Sequence, residues 1–261
     1  MYDFEFVKPA SVADALAALS DEDAKPLSGG QTLLPTMKQR LAMPTKLVSL
    51  AGMAELIGVS AEGGVLTVKG ATPHAKVAAE ATAYPALAAL ASHIGDPAVR
   101  NRGTIGGSLA NNDPSACYPA AALASGATIV TTAREIPADE YFQGMFTTAL
   151  EEHEIITAVK FPIPEAANYQ KFVQPASRFA LVGVFVAKFA TGVRVAVTGA
   201  SEEGVFRWTE AEEALSSSFT PDAVASLKAP AEGMIGDIHG TPEYRAHLIG
   251  VMTKRAVAAA A

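Results

Sequence analysis

Two short segments hold the residues best suited to chemistry: Ser28-Gly29-Gly30-Gln31-Thr32 and Thr104-Ile105-Gly106-Gly107-Ser108, each a pair of glycines flanked by hydroxyl side chains. Adjacent glycines let the backbone turn successive N–H groups toward one point and admit a close ligand, and the hydroxyls add donors. Taken singly, a Gly-Gly pair is more often an ordinary turn. Two with matching flanks predict a common task, two concavities cradling one pyrophosphate. At the inner glycines, Gly30 and Gly106, a Cβ is expected to fill the space of that group or force an unfavourable backbone angle. Neither segment is a G-x-G-x-x-G or a G-x-x-x-x-G-K-[ST], so the sequence does not support a nucleotide held as in Rossmann or P-loop proteins.

Other chemistries lack their residues. There is no His-Glu-x-x-His, the five histidines are scattered, and Cys117 is the single cysteine, so no ligand set for a metal forms. One cysteine also excludes an internal disulfide and a four-thiolate iron–sulfur cluster held by this chain alone. No G-x-S-x-G elbow offers a serine nucleophile. His74 and His93 have no ligand-spaced partner and read as helix-surface or packing residues. A net charge of −7 leaves no basic footprint for nucleic acid. No apolar run approaches the roughly 18 to 20 residues a spanning helix needs, and the start MYDFEFVKP lacks the order of a signal peptide, so a cytoplasmic protein is expected.

The elements that must position the glycine segments follow from pattern. With 261 residues, 49% of them apolar and 18% charged, there is material for two domains. Pro9 to Ser20 reads as a helix capped by Ser11, with Val12, Ala15, Leu16 and Leu19 on one face. Lys25 to Leu27 is a strand running into the first glycine segment, and a helix is expected within Gln31 to Leu41. Leu47 to Leu50 and Val65 to Lys69 read as strands. Thr72 is expected to cap a helix from His74 to about Ala81, and Pro85 to Ile94 a further helix closed by Gly95. Leu123 to Thr131 and Ile155 to Phe161 read as buried strands, and Pro162-Ile163-Pro164 as a boundary. Beyond it, Phe179 to Phe189 and Val193 to Ala200 suggest a hairpin through Ala190-Thr191-Gly192. Thr209 and Glu212 suggest a capping box, and Thr241-Pro242-Glu243 starts a last helix.

The run Ile94-Gly95-Asp96-Pro97-Ala98-Val99-Arg100-Asn101-Arg102-Gly103-Thr104-Ile105-Gly106-Gly107-Ser108 resembles the FAD-binding medium subunits of molybdenum hydroxylases, the group of carbon-monoxide and xanthine dehydrogenases. The likeness extends to Ser28 through Pro35, to Asp113-Pro114 and Tyr118-Pro119, and to the opening Phe4 to Leu19. The resemblance implies an α+β chain. A vanillyl-alcohol-oxidase-type (PCMH-type) FAD-binding domain would cover residues 1–163, in subdomains of about 1–58 and 59–163. A small C-terminal domain, residues 168–261, would hold three antiparallel strands and helices.

By the same resemblance, Pro26, Leu27, Ser28, Gly29, Gly30, Gln31, Thr32 and Leu33 bind the FAD pyrophosphate from one side. Thr104, Ile105, Gly106, Gly107 and Ser108 bind it from the other. Ile94 would lie beside the flavin and Ile156 near the adenine, while Tyr169 and Lys171 would sit on a loop over the isoalloxazine. Asp113 matches the family, but Cys117 stands where relatives commonly carry an aspartate that contacts FAD. The family's complexes place a molybdenum cofactor on a large subunit and 2Fe-2S clusters on a small one, assembled as a dimer of heterotrimers. In them the flavin passes electrons to an acceptor. A stand-alone flavin oxidase and a non-catalytic FAD-binding assembly subunit are the alternatives.

Overall fold

A computed structural model describes residues 1–260. The chain opens with β1 (Glu5–Val7), α1 (Val12–Leu19), β2 (Ala24–Leu27), α2 (Leu33–Lys38) and β3 (Lys46–Ser49). Ser11 caps α1 as expected, its side chain accepting from the Asp14 amide. Three parallel strands form a small sheet in the order β1-β3-β2, and Ala15 and Leu19 of α1 pack on it with Val48.

The second unit comprises β4 (Val59–Glu62), β5 (Val65–Lys69), six helices, and five further strands. The first five helices are α3 (His74–Glu80), α4 (Pro85–Ser92), α5 (Pro97–Arg102), α6 (Ile105–Asn111) and α7 (Tyr118–Ala124). Then come β6 (Thr128–Thr131), β7 (Glu135–Pro137), the turn of helix α8 (Ala138–Tyr141), the hairpin β8 (Phe142–Gly144) and β9 (Thr147–Thr148), and β10 (Ile156–Pro162). Its main sheet is antiparallel in the order β4-β5-β10-β6-β7. Along β5, Leu66 and Val68 alternate into the core, the period of a sheet with one covered face.

Two expectations fail here for local reasons. Thr72 does not cap α3: its hydroxyl bonds to the amide and carbonyl of Gly58, and Pro73 takes the cap position. The apolar run expected as a strand from Leu123 begins as the end of α7, because alanines favour helix. Gly126, at φ +58, then turns the chain toward β6.

The third unit holds β11 (Ala166–Val173), β12 (Ala180–Phe189), β13 (Gly192–Ser201), β14 (Gly204–Arg207), α9 (Thr209–Ser217) and α10 (Pro242–Ala259). Four antiparallel strands lie in the order β11-β12-β13-β14, one more than the resemblance implied. The hairpin expected at Ala190-Thr191 is present, with Phe189 paired to Gly192. Both faces of β12 are covered. Phe185 and Ala187 join the core beneath α7, whereas Val182, Val184 and Val186 join the core beneath α9 and α10. A strand buried on both faces loses the apolar–polar alternation and reads as one apolar run.

Thr241 caps α10 by accepting from the Tyr244 amide. The capping box at Thr209 does not form. Trp208 is the cap residue of α9, and Glu212 is buried, accepting from the Val195 amide and from Arg207. Arg245, 1% exposed, donates to the carbonyls of Leu181 and Gly199 and to Asp237, tying α10 to the sheet. Helix α7 is buried along its whole length, packed beneath the four-stranded sheet with α4, α6 and α8 as its other neighbours.

Candidate functional site

The two glycine segments meet across one cleft of about 640 Å³. The first is the turn between β2 and α2. Gly30 has φ +72, a conformation that L side chains rarely adopt, so the expectation of a backbone constraint holds there. The amides of Gly29, Gly30, Gln31 and Thr32 donate to no group among the described residues, and all four residues line the cleft. Four unengaged amides on one turn make a ready cradle for an anion.

The second segment is the start of α6. Thr104 caps it, accepting from the Gly107 amide, and its Oγ1 lies 2.8 Å from Ser28 Oγ, so one hydroxyl pair joins the two segments. The amides of Ile105 and Gly106 are spent on the carbonyls of Thr72 and Gly70. This segment therefore offers hydroxyls and shape more than free backbone donors, unlike the symmetric cradle read from the sequence.

Close backbone contact explains its glycines. A Cβ on Gly106 would come within 2.6 Å of the Gly70 carbonyl, and one on Gly70 within 1.9 Å of the Ile156 carbonyl. A Cβ on Gly29 would meet the Arg102 carbonyl at 2.2 Å. At Gly106, which also lines the cleft, an added Cβ would meet the Gly70 backbone, a contact between distant segments that the sequence does not show. Gly70 and Gly103 were missed. A glycine closing a strand pattern, as Gly70 closes β5, signals close backbone approach and was the available clue.

Pro26, Leu27, Ser28, Leu33, Ser108, Ile94 and Ile156 line the cleft, as do Asp113, Cys117 and Lys171. Ile105 does not: it is fully buried in the core behind it. Asp113 accepts from the Ser115 amide, and burial pushes its carboxyl up despite that bond. Burial also pushes the Glu154 carboxyl up, but bonds from Arg134, the Glu151 amide and Thr131 outweigh this and hold it below the usual range. Lys171 Nζ donates to the His93 carbonyl at 2.9 Å and lies 3.5 Å from Cys117 Sγ.

Tyr169 departs from expectation. It lies within strand β11 and not on a loop, it does not line the cleft, and its ring packs against Phe185. Its hydroxyl end is buried over Gly183, where a Cβ would come within 2.4 Å. The phenyl ring at the cleft is Phe179, 47% exposed, on the turn from β11 to β12 beside Arg178. A phenylalanine next to a β-rich run gives no sequence signal of this placement.

His74, the first residue of α3, also lines the cleft although it is 4% exposed. Burial and repulsion from Arg100 push its imidazole down to about 4. Between that value and the ordinary one near 6.5, the unfolded chain holds a proton that the folded chain refuses, so stability drops as pH falls through this window. Melting curves from pH 7 to pH 4 should therefore decline less steeply for His74→Leu than for the wild type.

Comparison with known proteins agrees with this geometry. A family model described as the FAD binding domain in molybdopterin dehydrogenase matches residues 2–164. The carbon monoxide dehydrogenase medium chain of Afipia carboxidovorans is 32% identical, over 97% of this chain and 95% of its own. The nicotine 6-hydroxylase medium subunit of Paenarthrobacter nicotinovorans is 36% identical with the same coverage. Among solved structures, quinoline 2-oxidoreductase from Pseudomonas putida 86 superimposes with a TM-score of 0.89 at 30% identity, over 99% of this chain and 97% of that one. The Cu,Mo-CO dehydrogenase in its cyanide-inactivated form gives 0.87 at 32%, over 98% and 97%. The chain belongs to the FAD-binding family of the molybdopterin dehydrogenases. Among the described residues, no helix is long and apolar enough to cross a membrane, and no group of three or more His, Cys, Asp and Glu is placed to hold a metal.

Proposed function

We propose that this chain is the flavin-bearing, electron-transferring subunit of a cytoplasmic molybdenum hydroxylase. FAD held in the cleft would supply the redox chemistry that links 2Fe-2S clusters of a small subunit to an external acceptor. The observation that carries this reading is the turn Gly29–Thr32, four unengaged amides on residues that line a cleft, joined to the second glycine segment by Ser28 and Thr104.

The chain's residues divide the work. The Gly29–Thr32 amides, with the hydroxyls of Thr104 and Ser108, hold the pyrophosphate and neutralise part of its charge. Ile156 would pack near the adenine. Ile94 and Phe179 would exclude water from the isoalloxazine, and the Lys171 ammonium would stabilise negative charge on the ring. Cys117, beside the Lys171 ammonium, and Asp113 would line the same cavity. Residues 1–163 form the FAD-binding domain, divided near residue 58, and residues 168–261 the C-terminal domain. In support, each main sheet takes its strands from one of these stretches. A single cysteine leaves the clusters to a partner, and the full assembly is a dimer of heterotrimers with a large molybdenum-binding subunit.

The test is co-expression with the neighbouring large and small subunits. The expected result is a stable complex with about one FAD per copy of this chain, whose flavin is bleached by substrate only when all three subunits are present. Bleaching in the isolated chain would instead indicate a stand-alone oxidase. A flavin that substrate never reduces would indicate a structural role.

A further inference from the structure

His74 carries polarity that the packing of the chain does not use. Its Nδ1 is buried with no hydrogen-bond partner, and its ring lies tilted against Tyr118 with centroids 5.3 Å apart. The opposite edge faces Gly103: a Cβ there would come within 2.6 Å of Nε2. His74 and Gly103 both line the cleft, and Gly103 abuts Gly29 of the first glycine segment, so this edge lies close to where the two segments meet. Burying an imidazole with an unsatisfied nitrogen costs more than burying a leucine of similar size, so space-filling alone does not account for it.

The tautomer follows from the same asymmetry. A buried N–H without an acceptor is costlier than a bare lone pair, which puts the ring proton on Nε2 and leaves the orphaned Nδ1 unprotonated. Burial and the nearby Arg100 keep the ring neutral. The result is a fixed, uncharged donor at the wall of the cleft.

We propose that His74 is a cofactor-binding residue, its neutral Nε2–H donating to an acceptor oxygen of FAD, on the pyrophosphate or on a ring carbonyl. This rests on the cleft being the FAD site, and the test separates the two ideas. FAD affinity is measured by titration of the apo-chain for the wild type, His74→Leu and His74→Gln, with apo melting recorded for each. Leucine fills the space without a donor and should weaken FAD about tenfold or more, whereas glutamine, whose amide N–H reaches the Nε2 position, should stay within a few-fold of the wild type. Titrations with ADP and with riboflavin locate the oxygen: the leucine penalty follows ADP if the pyrophosphate accepts, and riboflavin if the ring does. Wild-type affinity in a folded His74→Leu chain overturns the proposal. No binding by the folded wild type overturns the FAD reading of the cleft instead. Should the leucine variant not fold, ¹⁵N-histidine spectra of the wild type decide. One imidazole that stays neutral to low pH should be the Nε2–H tautomer and shift on adding FAD; an Nδ1–H tautomer, or no shift, overturns the assignment.

Discussion

Gly106→Val is expected to remove FAD binding and to lower the melting point of the apo-chain by roughly 6–12 °C. The valine Cβ would sit within 2.6 Å of the Gly70 carbonyl, and Gly70 in turn cannot recede, because its own Cα already faces the Ile156 carbonyl. Backbone meets backbone on both sides, so no side-chain rotation relieves the clash. Overpacking of this kind costs about 3 kcal/mol or more, which for a chain of this size gives the stated shift. It also breaks the bond from the Gly106 amide to Gly70 and lifts the start of α6 away from Ser28. Gly30→Val is expected to behave differently. A non-glycine residue at φ +72 costs about 1–2 kcal/mol, a smaller loss of stability, but the strain falls on the turn that presents the free amides, so FAD affinity should drop at least tenfold. The double variant should lose less than the sum, since both segments serve one ligand. FAD titration and apo melting of the three variants check this; a Gly106→Val chain that melts and binds like the wild type would overturn it.

The second large effect is at Arg245. Its Nη1 donates to two carbonyls, Leu181 and Gly199, and its Nη2 to Asp237, in a position with 1% exposure. Arg245→Ala strips two buried carbonyls of their donor and leaves a cavity under α10, at a cost of about 3–5 kcal/mol. Gly199 has φ +83 and its own amide bonds to Pro114, so loosening it also disturbs the segment that bears Asp113 and Cys117. Arg245→Met restores volume without the donors and should recover only part of the loss. Denaturant unfolding measures both; equal stability of the alanine variant and the wild type would show that the three bonds contribute nothing net.

What could be read from the sequence was whatever depends on neighbours in the chain. Ser11 and Thr241 announce their helices because a cap acts within three residues, and Ala190-Thr191 announces its hairpin because the turn is local. The two glycine segments were legible as a pair, and the structure joins them. Contacts between distant segments were not legible. Thr72 looks like a cap until Gly58 claims its hydroxyl, and Glu212 looks like half of a capping box until Arg207 and Val195 claim its carboxylate. Tyr169 and Phe179 show the same limit: whether an aromatic faces a cleft or a core depends on strand register, and register is set by partners far along the chain.

Helix α7 has a further consequence. Its alanines pack beneath the four-stranded sheet, and the core it completes draws Tyr84 and Phe161 from the second unit and Phe185 from the third, with Tyr84 meeting both rings edge-on. The portion that the family shares most recognisably, residues 2–164, therefore lacks one wall of its own interior. The two parts are inseparable as heritable modules: a change of side-chain volume on one bank of α7 must be answered on the other.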